Sequence, residues 1–181
     1  MWVSRLPFPK GCQCLRISLF QAVIGLEIAK QLGEPGYVVW LGCRNERRGQ
    51  EAASELTKMG IQDEAVTIDV SDDVSVKKAA EVLSSRIEGL DVLINNAGMH
   101  FGFPPPVIEE PTEQMLAIFN INALGPVRVT QALLPLLRKA PQARVVRSWA
   151  HKKARQLAGF VVQSSYYYHL IPTRSSRAAC C

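Results

Sequence analysis

The side chains best suited to chemistry follow short apolar runs of the sequence. Asn95, Asn96, Ala97 and Gly98 come directly after the apolar run 90–94. At the end of a strand, an amide pair can hydrogen-bond neighbouring backbone, and a glycine lets a ligand approach closely. The sequence thus predicts a ligand contact here, and an ordinary turn is the alternative.

Two charged candidates stand in comparable positions. Arg44 follows another apolar run and is succeeded by Arg47 and Arg48. After the second strand of a nucleotide-binding sheet, an acidic residue favours NAD, whereas an arginine accommodates the extra phosphate of NADP. Asp69, followed by Val70, ends a third run, where its carboxylate could accept a hydrogen bond from an adenine amino group. The alternatives are a solvated cluster at a helix start for Arg44 and a helix N-cap for Asp69.

Asn122 is the fourth candidate. It lies within a long apolar pattern of helical period that starts near Thr112 and is bent or interrupted at Gly125-Pro126. A buried amide at such a position needs a hydrogen-bond partner.

Alternating strands and helices must position these residues. Short β-rich runs predict strands, and stretches with an apolar stripe, ended by Gly33, Gly60 and Gly89, predict helices. The strands are 37–41, 65–68 and 90–94, and the helices are 24–33, 44–59, 71–89 and one from 112. This alternation predicts an α/β fold, a doubly wound parallel sheet with ligands at the carboxyl ends of its strands.

Taken in order, these segments resemble the short-chain dehydrogenase/reductase family, most closely its NADP-dependent carbonyl-reductase-like members. The similarity lies in the helix 24–33, the turn GCRNERRGQ at 42–50, LDVLINNAG at 90–98, Asn122 and QALLP at 131–135. It extends over roughly residues 21–147, and the joint order and spacing make it specific.

The resemblance implies a Rossmann-like domain that binds NADP(H) and transfers hydride to a ketone or aldehyde, with no metal. It assigns cofactor contacts to seven positions: Gly25, Arg44, Asp69, Val70, Asn95, Ala97 and Gly98. In the family, a tyrosine protonates the carbonyl oxygen, a lysine four residues later lowers its pKa, and a serine steadies the substrate. The helix asparagine, here Asn122, holds a water of the proton relay.

The first departure from the family is its glycine-rich turn. When that turn is registered on Gly25, Leu19 and Val23 replace two of its three glycines. Those glycines let the backbone approach the pyrophosphate, so we expect the Cβ of Val23 to obstruct the approach.

The second departure is the missing catalytic pair. None of the tyrosines has a lysine four residues later, and the sequence diverges from the family at Arg147. We therefore expect a sheet that is incomplete at its C-terminal side, an exposed edge beyond Leu93 and no turnover. The alternatives to an active oxidoreductase are a non-catalytic nucleotide-binding or interaction remnant, and a truncated or misread product that hardly folds.

Charge divides the chain into three zones. Its 181 residues suffice for one domain, and residues 17–113 hold all 16 acidic residues with 8 basic ones. Residues 1–16 and 114–181 are basic and contain no acid. We expect an atypical basic segment at 1–16, the partial NADP-binding domain at 17–147 and an unstructured basic tail at 148–181.

Composition also limits the partners. Scattered charges argue against nucleic acid, and the absence of 18 uninterrupted apolar residues argues against a membrane span. The odd number of cysteines, 5, favours a reduced cytoplasmic chain, with mitochondrial or plastid import as the alternative. The expected partners are a small carbonyl substrate and a second copy docked through helices in 112–139, because equivalent helices form dimers in the family.

Overall fold

The secondary structure alternates strands and helices over most of the chain. The computed structural model describes residues 15–19, 24–99, 109–147 and 166–168. Its strands are β1 (Leu15–Leu19), β2 (Val38–Cys43), β3 (Asp63–Thr67), β4 (Val92–Asn95), β5 (Arg144–Arg147) and β6 (Tyr166–Tyr168). Its helices are α1 (Ile24–Gly33), α2 (Glu46–Lys58), α3 (Asp73–Arg86), α4 (Thr112–Phe119) and α5 (Gly125–Leu137), with a π-helical turn at Asn120–Leu124 between the last two.

These strands form one six-stranded sheet in the order β3-β2-β1-β4-β5-β6. The first five strands are parallel, and β6 runs antiparallel to β5. The strand order reverses between β1 and β4, which is the topological switch point of a doubly wound sheet. The predicted fold class is therefore confirmed, although the sequence reading assigned no strand at β1.

The sheet separates two hydrophobic clusters. Val39 and Leu41 of β2 pack with Ala29, Leu56 and Ile61 on the side of α1 and α2. On the other side, Trp40 joins the larger cluster built mainly on β3, α3, β4 and α5. Because successive residues of a strand face opposite sides, β2 must be apolar throughout, and this explains its uninterrupted run.

Side-chain caps set where two helices begin. The Oδ1 atom of Asn45 accepts from the N–H of Arg48 at 3.0 Å, so α2 starts at Glu46. Asp72 caps α3 by accepting from the backbone N–H groups of its second and third residues. Both helices thus begin two residues later than the sequence predicts, because a capping residue is not itself helical.

Gly33 does not act as the predicted C-terminal cap of α1. Among the glycines of the described residues, positive φ angles occur at Gly36 and Gly60, at 90° and 76°. Gly33 is instead packed closely against Ile61, because a Cβ added at Gly33 would overlap Cγ2 of Ile61.

The helix predicted from Thr112 is divided by the π-helical turn Asn120–Leu124. The N–H of Gly125 donates to the carbonyl of Asn120, five residues back, and Pro126 follows without an N–H of its own. The predicted interruption at Gly125-Pro126 therefore takes the form of a π-helical turn that ends where α5 begins.

The C-terminal side differs from the prediction in one respect. The expected exposed edge is paired, because β6 lies beside β5 within the segment predicted to be unstructured. The rest of the tail, the basic segment before Leu15 and the turn position Val23 lie outside the described residues. In the part of the chain that is described, no helix is long and apolar enough to cross a membrane.

Candidate functional site

The predicted site residues come together because the strands that carry them are parallel. Arg44 follows β2, Asp69 follows β3, and Asn95 closes β4. Carboxyl ends of parallel strands meet at one edge of a sheet, so these residues share the edge where doubly wound folds bind ligands. The sequence prediction thus identified one edge of the molecule from three separate motifs.

Asp69 is held as a carboxylate. Its Oδ1 atom accepts from the backbone N–H and the hydroxyl of Ser71, at 2.9 and 2.6 Å. Burial alone would raise the pKa of Asp69, but both hydrogen bonds from Ser71 and the positive charge of Arg44 outweigh burial and hold that pKa below its usual value. Asp69 therefore presents a negative charge beside a cation at neutral pH.

The caps exclude the N-cap alternative for Asp69, whereas the exposed position of Arg44 also fits the alternative of a solvated cluster at the helix start. Asp72 rather than Asp69 caps α3, and Asn45 rather than Arg44 caps α2. The side chain of Arg44 is exposed on the turn between β2 and α2. Neither Arg44 nor Asp69 is thus needed to cap a helix.

Val70 is placed differently from its neighbours. Its side chain is buried and lies against Gly125, where an added Cβ would meet Cγ2 of Val70 at 3.0 Å. Its carbonyl oxygen accepts from the guanidinium of Arg128 at 3.3 Å. The side chain of Val70 therefore belongs to the core, and a cofactor contact at this position stays a prediction.

The amide pair after β4 leaves polar atoms without partners. Asn95 and Asn96 are only 3% and 5% exposed. The Nδ2 atom of Asn95 donates to the hydroxyl of Thr130 at 3.4 Å. Among the described residues, Oδ1 of Asn95 and Nδ2 of Asn96 are buried without a hydrogen-bond partner. Because such atoms are costly to bury, this end of β4 suits a ligand or water that supplies the missing bonds.

Asn122 hydrogen-bonds the backbone of the segment that follows Asn95 and Asn96. Its Nδ2 donates to the carbonyl of Met99 at 2.7 Å, and its Oδ1 accepts from the N–H of Met99 at 2.8 Å. The backbone oxygen of Asn122 accepts from the guanidinium of Arg147. The hydrogen-bond partner predicted for the amide of Asn122, which is half-buried, is thus the backbone of Met99, and the catalytic role of Asn122 stays a prediction.

Gly98, Ala97 and Gly25 are the small residues among the predicted cofactor contacts. A Cβ on Gly98 would lie 3.5 Å from Oδ1 of Asn122, which is an ordinary contact. Ala97 is half-buried and packs on the larger hydrophobic cluster. Gly25 is buried in the first turn of α1, after a turn that lies outside the described residues. Their predicted cofactor contacts remain expectations.

Arg128 and Asn120 are site residues that the sequence reading missed. Arg128 pairs with Asp73 at 2.8 Å and donates to Oδ1 of Asn120 at 2.6 Å. The Nδ2 atom of Asn120 donates to the carbonyl of Ser71 at 3.3 Å. This network joins the turn that carries Asp69 to the π-helical turn that carries Asn122. The available signal was the presence of these two polar residues, besides Asn122, in a mainly apolar helical pattern.

The doubly wound sheet, with its topological switch point between β1 and β4, places the chain in the Rossmann-like class of α/β folds. The family model described as short chain dehydrogenase matches residues 21–162. The chain belongs to the short-chain dehydrogenase/reductase family, as its sequence motifs predict. In the described residues, no group of three His, Cys, Asp or Glu side chains is placed to hold a metal ion.

Curated relatives are identical to this chain at about a third of the aligned positions. The very-long-chain 3-oxoacyl-CoA reductase of Yarrowia lipolytica is 32% identical over 153 residues, which cover 83% of this chain and 38% of the relative. The mitochondrial D-beta-hydroxybutyrate dehydrogenase of Bos taurus is 35% identical over 144 residues, which cover 76% of this chain and 41% of the relative. The chain thus spans less than half the length of either relative.

Solved structures show the same fold. An alcohol dehydrogenase of the archaeon Thermococcus sibiricus, complexed with 5-hydroxy-NADP, matches with a TM-score of 0.66 and 27% identity, over 73% of this chain and 57% of the other. The Pseudomonas aeruginosa RhlG/NADP active-site complex matches with a TM-score of 0.69 and 27% identity, over 74% of this chain and 53% of the other. Within the family, structures similar to this chain therefore bind NADP or its derivative.

Proposed function

We propose that this chain binds NADP(H) at the carboxyl edge of its sheet, through a preserved adenosine side. The observation that supports this most directly is the exposed guanidinium of Arg44 beside the ionised carboxylate of Asp69, on neighbouring strand ends. A planar guanidinium suits the 2′-phosphate that distinguishes NADP from NAD. The carboxylate of Asp69, fixed by Ser71, is the group that we propose accepts a hydrogen bond from the adenine amino group.

The nicotinamide side is proposed to lie near the end of β4. There, the unpartnered amide atoms of Asn95 and Asn96 supply hydrogen-bonding capacity, and Gly98 leaves the backbone open to close approach. When bound, NADPH supplies the hydride for reducing a ketone or aldehyde. The 181 residues hold no tyrosine with a lysine four positions later. We therefore propose that the chain holds the cofactor without completing carbonyl reduction by itself.

Thermal unfolding with NADPH and with NADH tests the binding proposal. A ligand that binds only the folded chain raises its stability by about 2.7 kcal/mol at a hundredfold excess over Kd. We expect NADPH to raise Tm more than NADH does, and Arg44→Ala to remove that preference. Arg138→Ala is the matched control, because Arg138 is an exposed arginine at the end of α5, close to the start of β4 at the opposite edge. Equal shifts with both dinucleotides in the unmodified chain would refute the role of Arg44.

The catalytic half of the proposal has its own assay. We expect no oxidation of NADPH when the purified chain is mixed with a dicarbonyl substrate. Turnover that persists in the chain and scales with its concentration would show that another residue donates the proton. Binding and catalysis are thus separately testable.

A second candidate function is association with a second copy through the helices in 112–139. The observation that favours it is a set of exposed apolar side chains on α4, the π-helical turn and α5: Met115, Leu116, Phe119, Leu124 and Val127. Contiguous exposed apolar surface is typical of protein interfaces.

A further inference from the structure

Arg128 lies between the two ends of the candidate site. Its side chain is 19% exposed. Its guanidinium donates to three oxygen atoms: the carbonyl of Val70 at 3.3 Å, the carbonyl of Asn120 at 3.2 Å and Oδ1 of Asn120 at 2.6 Å. A guanidinium is a planar fork of donors that serves several acceptors at once, whereas a lysine ammonium acts as a point charge. The contacts of Arg128 therefore require its guanidinium and not merely a positive charge.

On one side, these contacts hold the turn that carries Asp69. The carbonyl of Val70 accepts from Arg128, and the carbonyl of Ser71 accepts from Nδ2 of Asn120 at 3.3 Å. Ser71 in turn donates its N–H and its hydroxyl to the carboxylate of Asp69. The position of that carboxylate is thus tied to the π-helical turn and to α5 through two backbone oxygens.

On the other side, Arg128 holds the π-helical turn in its register. The carbonyl of Asn120 accepts from the N–H of Gly125, five residues later, and also from Arg128. In an α-helix this carbonyl would instead pair with the residue four positions later, and turns of the wider kind are rare. Because the register sets the path of the residues within the turn, it also sets the contact of Asn122 with the backbone of Met99.

We propose that Arg128 is a positioning residue that couples the adenosine end of the site to the contact between Asn122 and Met99. A ligand that fixes the turn of Asp69 stabilises the π-helical turn through Arg128, and that turn then holds Met99 more firmly. The ligand class is an adenosine that carries a 2′-phosphate, so this inference rests on the proposed function. Such coupling is reciprocal and typically changes an affinity by a factor of about 5 to 150.

Hydrogen exchange at the backbone amide of Met99 tests the coupling in the full chain. The probe is adenosine 2′,5′-bisphosphate, which has no nicotinamide. We expect a saturating concentration of this probe to slow the exchange of the Met99 amide about fivefold or more. The amide of Gly60, which donates to the carbonyl of Thr57 after α2, is the control for general stabilisation of the fold.

A lysine at position 128 should remove the coupling without removing the probe. In Arg128→Lys the positive charge remains and Arg44 and Asp69 are unchanged, so the probe still binds at high concentration. We expect its effect on the Met99 amide to disappear. Arg138→Lys is the matched control, because Arg138 is an exposed arginine at the C-terminal end of the same helix, and this variant should respond as the unmodified chain does.

Calorimetric titration with the same probe measures the coupling as an affinity. Because linkage is reciprocal, Asn122→Ala should weaken binding of the probe by the factor by which the probe slows exchange at Met99. In an Arg128→Lys background, Asn122→Ala should have no further effect on that affinity.

Failure of the proposed function and failure of the coupling give different results. No binding of the probe to the unmodified chain would refute the adenosine site and the coupling together. Binding without slower exchange at Met99, or with equal slowing at Gly60, would refute the coupling alone, and this measurement needs no variant to fold. Slowing that persists in Arg128→Lys would show that Arg128 does not carry the effect.

Discussion

At the residue scale, folding shifts the pKa values of two aspartates near β3, Asp63 and Asp69, in opposite directions. Burial is the largest influence on Asp63 and raises its pKa, with Glu64 adding to the effect and a hydrogen bond from Thr57 opposing it. At Asp69, the hydrogen bonds of Ser71 and the charge of Arg44 overcome burial and lower the pKa. The fold therefore stabilises one charge, at the candidate site, and penalises the other.

The pH dependence of folding should separate these two carboxylates. Because the pKa of Asp69 is lower in the folded chain, its contribution is present above about pH 4 and disappears as pH falls through the folded pKa. We expect Asp69→Asn to cost about 1 kcal/mol of unfolding free energy at pH 7 and progressively less as pH falls below about 4. Urea unfolding at pH 7 and at a series of acidic pH values measures this. In Asp63→Asn, the loss at pH 7 should be smaller or absent, and an equal loss in both variants would contradict the assignment.

The residue types of the sequence predicted which edge of the sheet carries the candidate site, but not the contacts between the side chains there. Arg44, Asp69 and Asn95 could be predicted together because each follows a strand, and parallel strands end at one edge. The contact of Asn122 with Met99 could not be predicted, because it depends on the π-helical turn and on the path after β4. Arg128 was missed because its partners lie far away in the sequence.

At the scale of elements, the contact between α1 and the segment that precedes β3 depends on a glycine, which has no side chain. Gly33 ends α1 and is buried against Ile61. Ile61 is 6% exposed and belongs to the smaller hydrophobic cluster. The absence of a Cβ at Gly33 therefore allows the helix to approach the sheet closely.

Replacing Gly33 by alanine should destabilise the chain by about 1–3 kcal/mol, because the new methyl group overlaps the buried side chain of Ile61. Denaturant unfolding measures the loss. Gly89→Ala is the control, since a Cβ there would meet its nearest atom at 3.4 Å. In an Ile61→Ala background, Gly33→Ala should cost much less, because the overlapping atoms are gone. An undiminished cost in that background would show that the clash is not the cause.

Strands and helices whose apolar residues recur at a regular spacing without interruption could be predicted from the sequence, and the others could not. The strands and helices from 24 to 99 matched the expected order, since each has a clear apolar pattern. β1 was missed because Arg16 and Ser18 interrupt its apolar residues, although the alternation at Leu15, Ile17 and Leu19 was a usable signal. The π-helical turn had no signal beyond Gly125-Pro126.

At the scale of the whole molecule, the chain contains the part of a doubly wound sheet that forms one nucleotide-binding half. That half runs from β1 to β3, and β4 and β5 continue the sheet across the switch point. The chain spans 57% and 53% of the two NADP-complexed structures that it resembles. The proposed adenosine side, with Arg44 and Asp69, lies in the half from β1 to β3.

The exposed apolar face of α4, the π-helical turn and α5 remains to be accounted for. Leu116 and Phe119 are 62% and 55% exposed. A two-fold interface brings the same surface patch of both copies together. An uncharged apolar patch can pack against itself, whereas a patch of like charges would repel its copy. A second copy of this chain is therefore the occupant that we propose for this face.

Light scattering coupled to size exclusion tests the oligomeric state of the whole chain. We expect a dimer at high concentration, and the double variant Leu116→Glu/Phe119→Glu to halve the mass, because four carboxylates would meet at the interface. Val74→Glu is the matched control, since Val74 is an apolar residue of α3 that is 60% exposed and lies outside this face. Unchanged helical circular dichroism confirms that the variants fold. A monomer at every concentration, or equal dissociation of the Val74 variant, would refute the interface and leave cofactor binding as the proposal that stands.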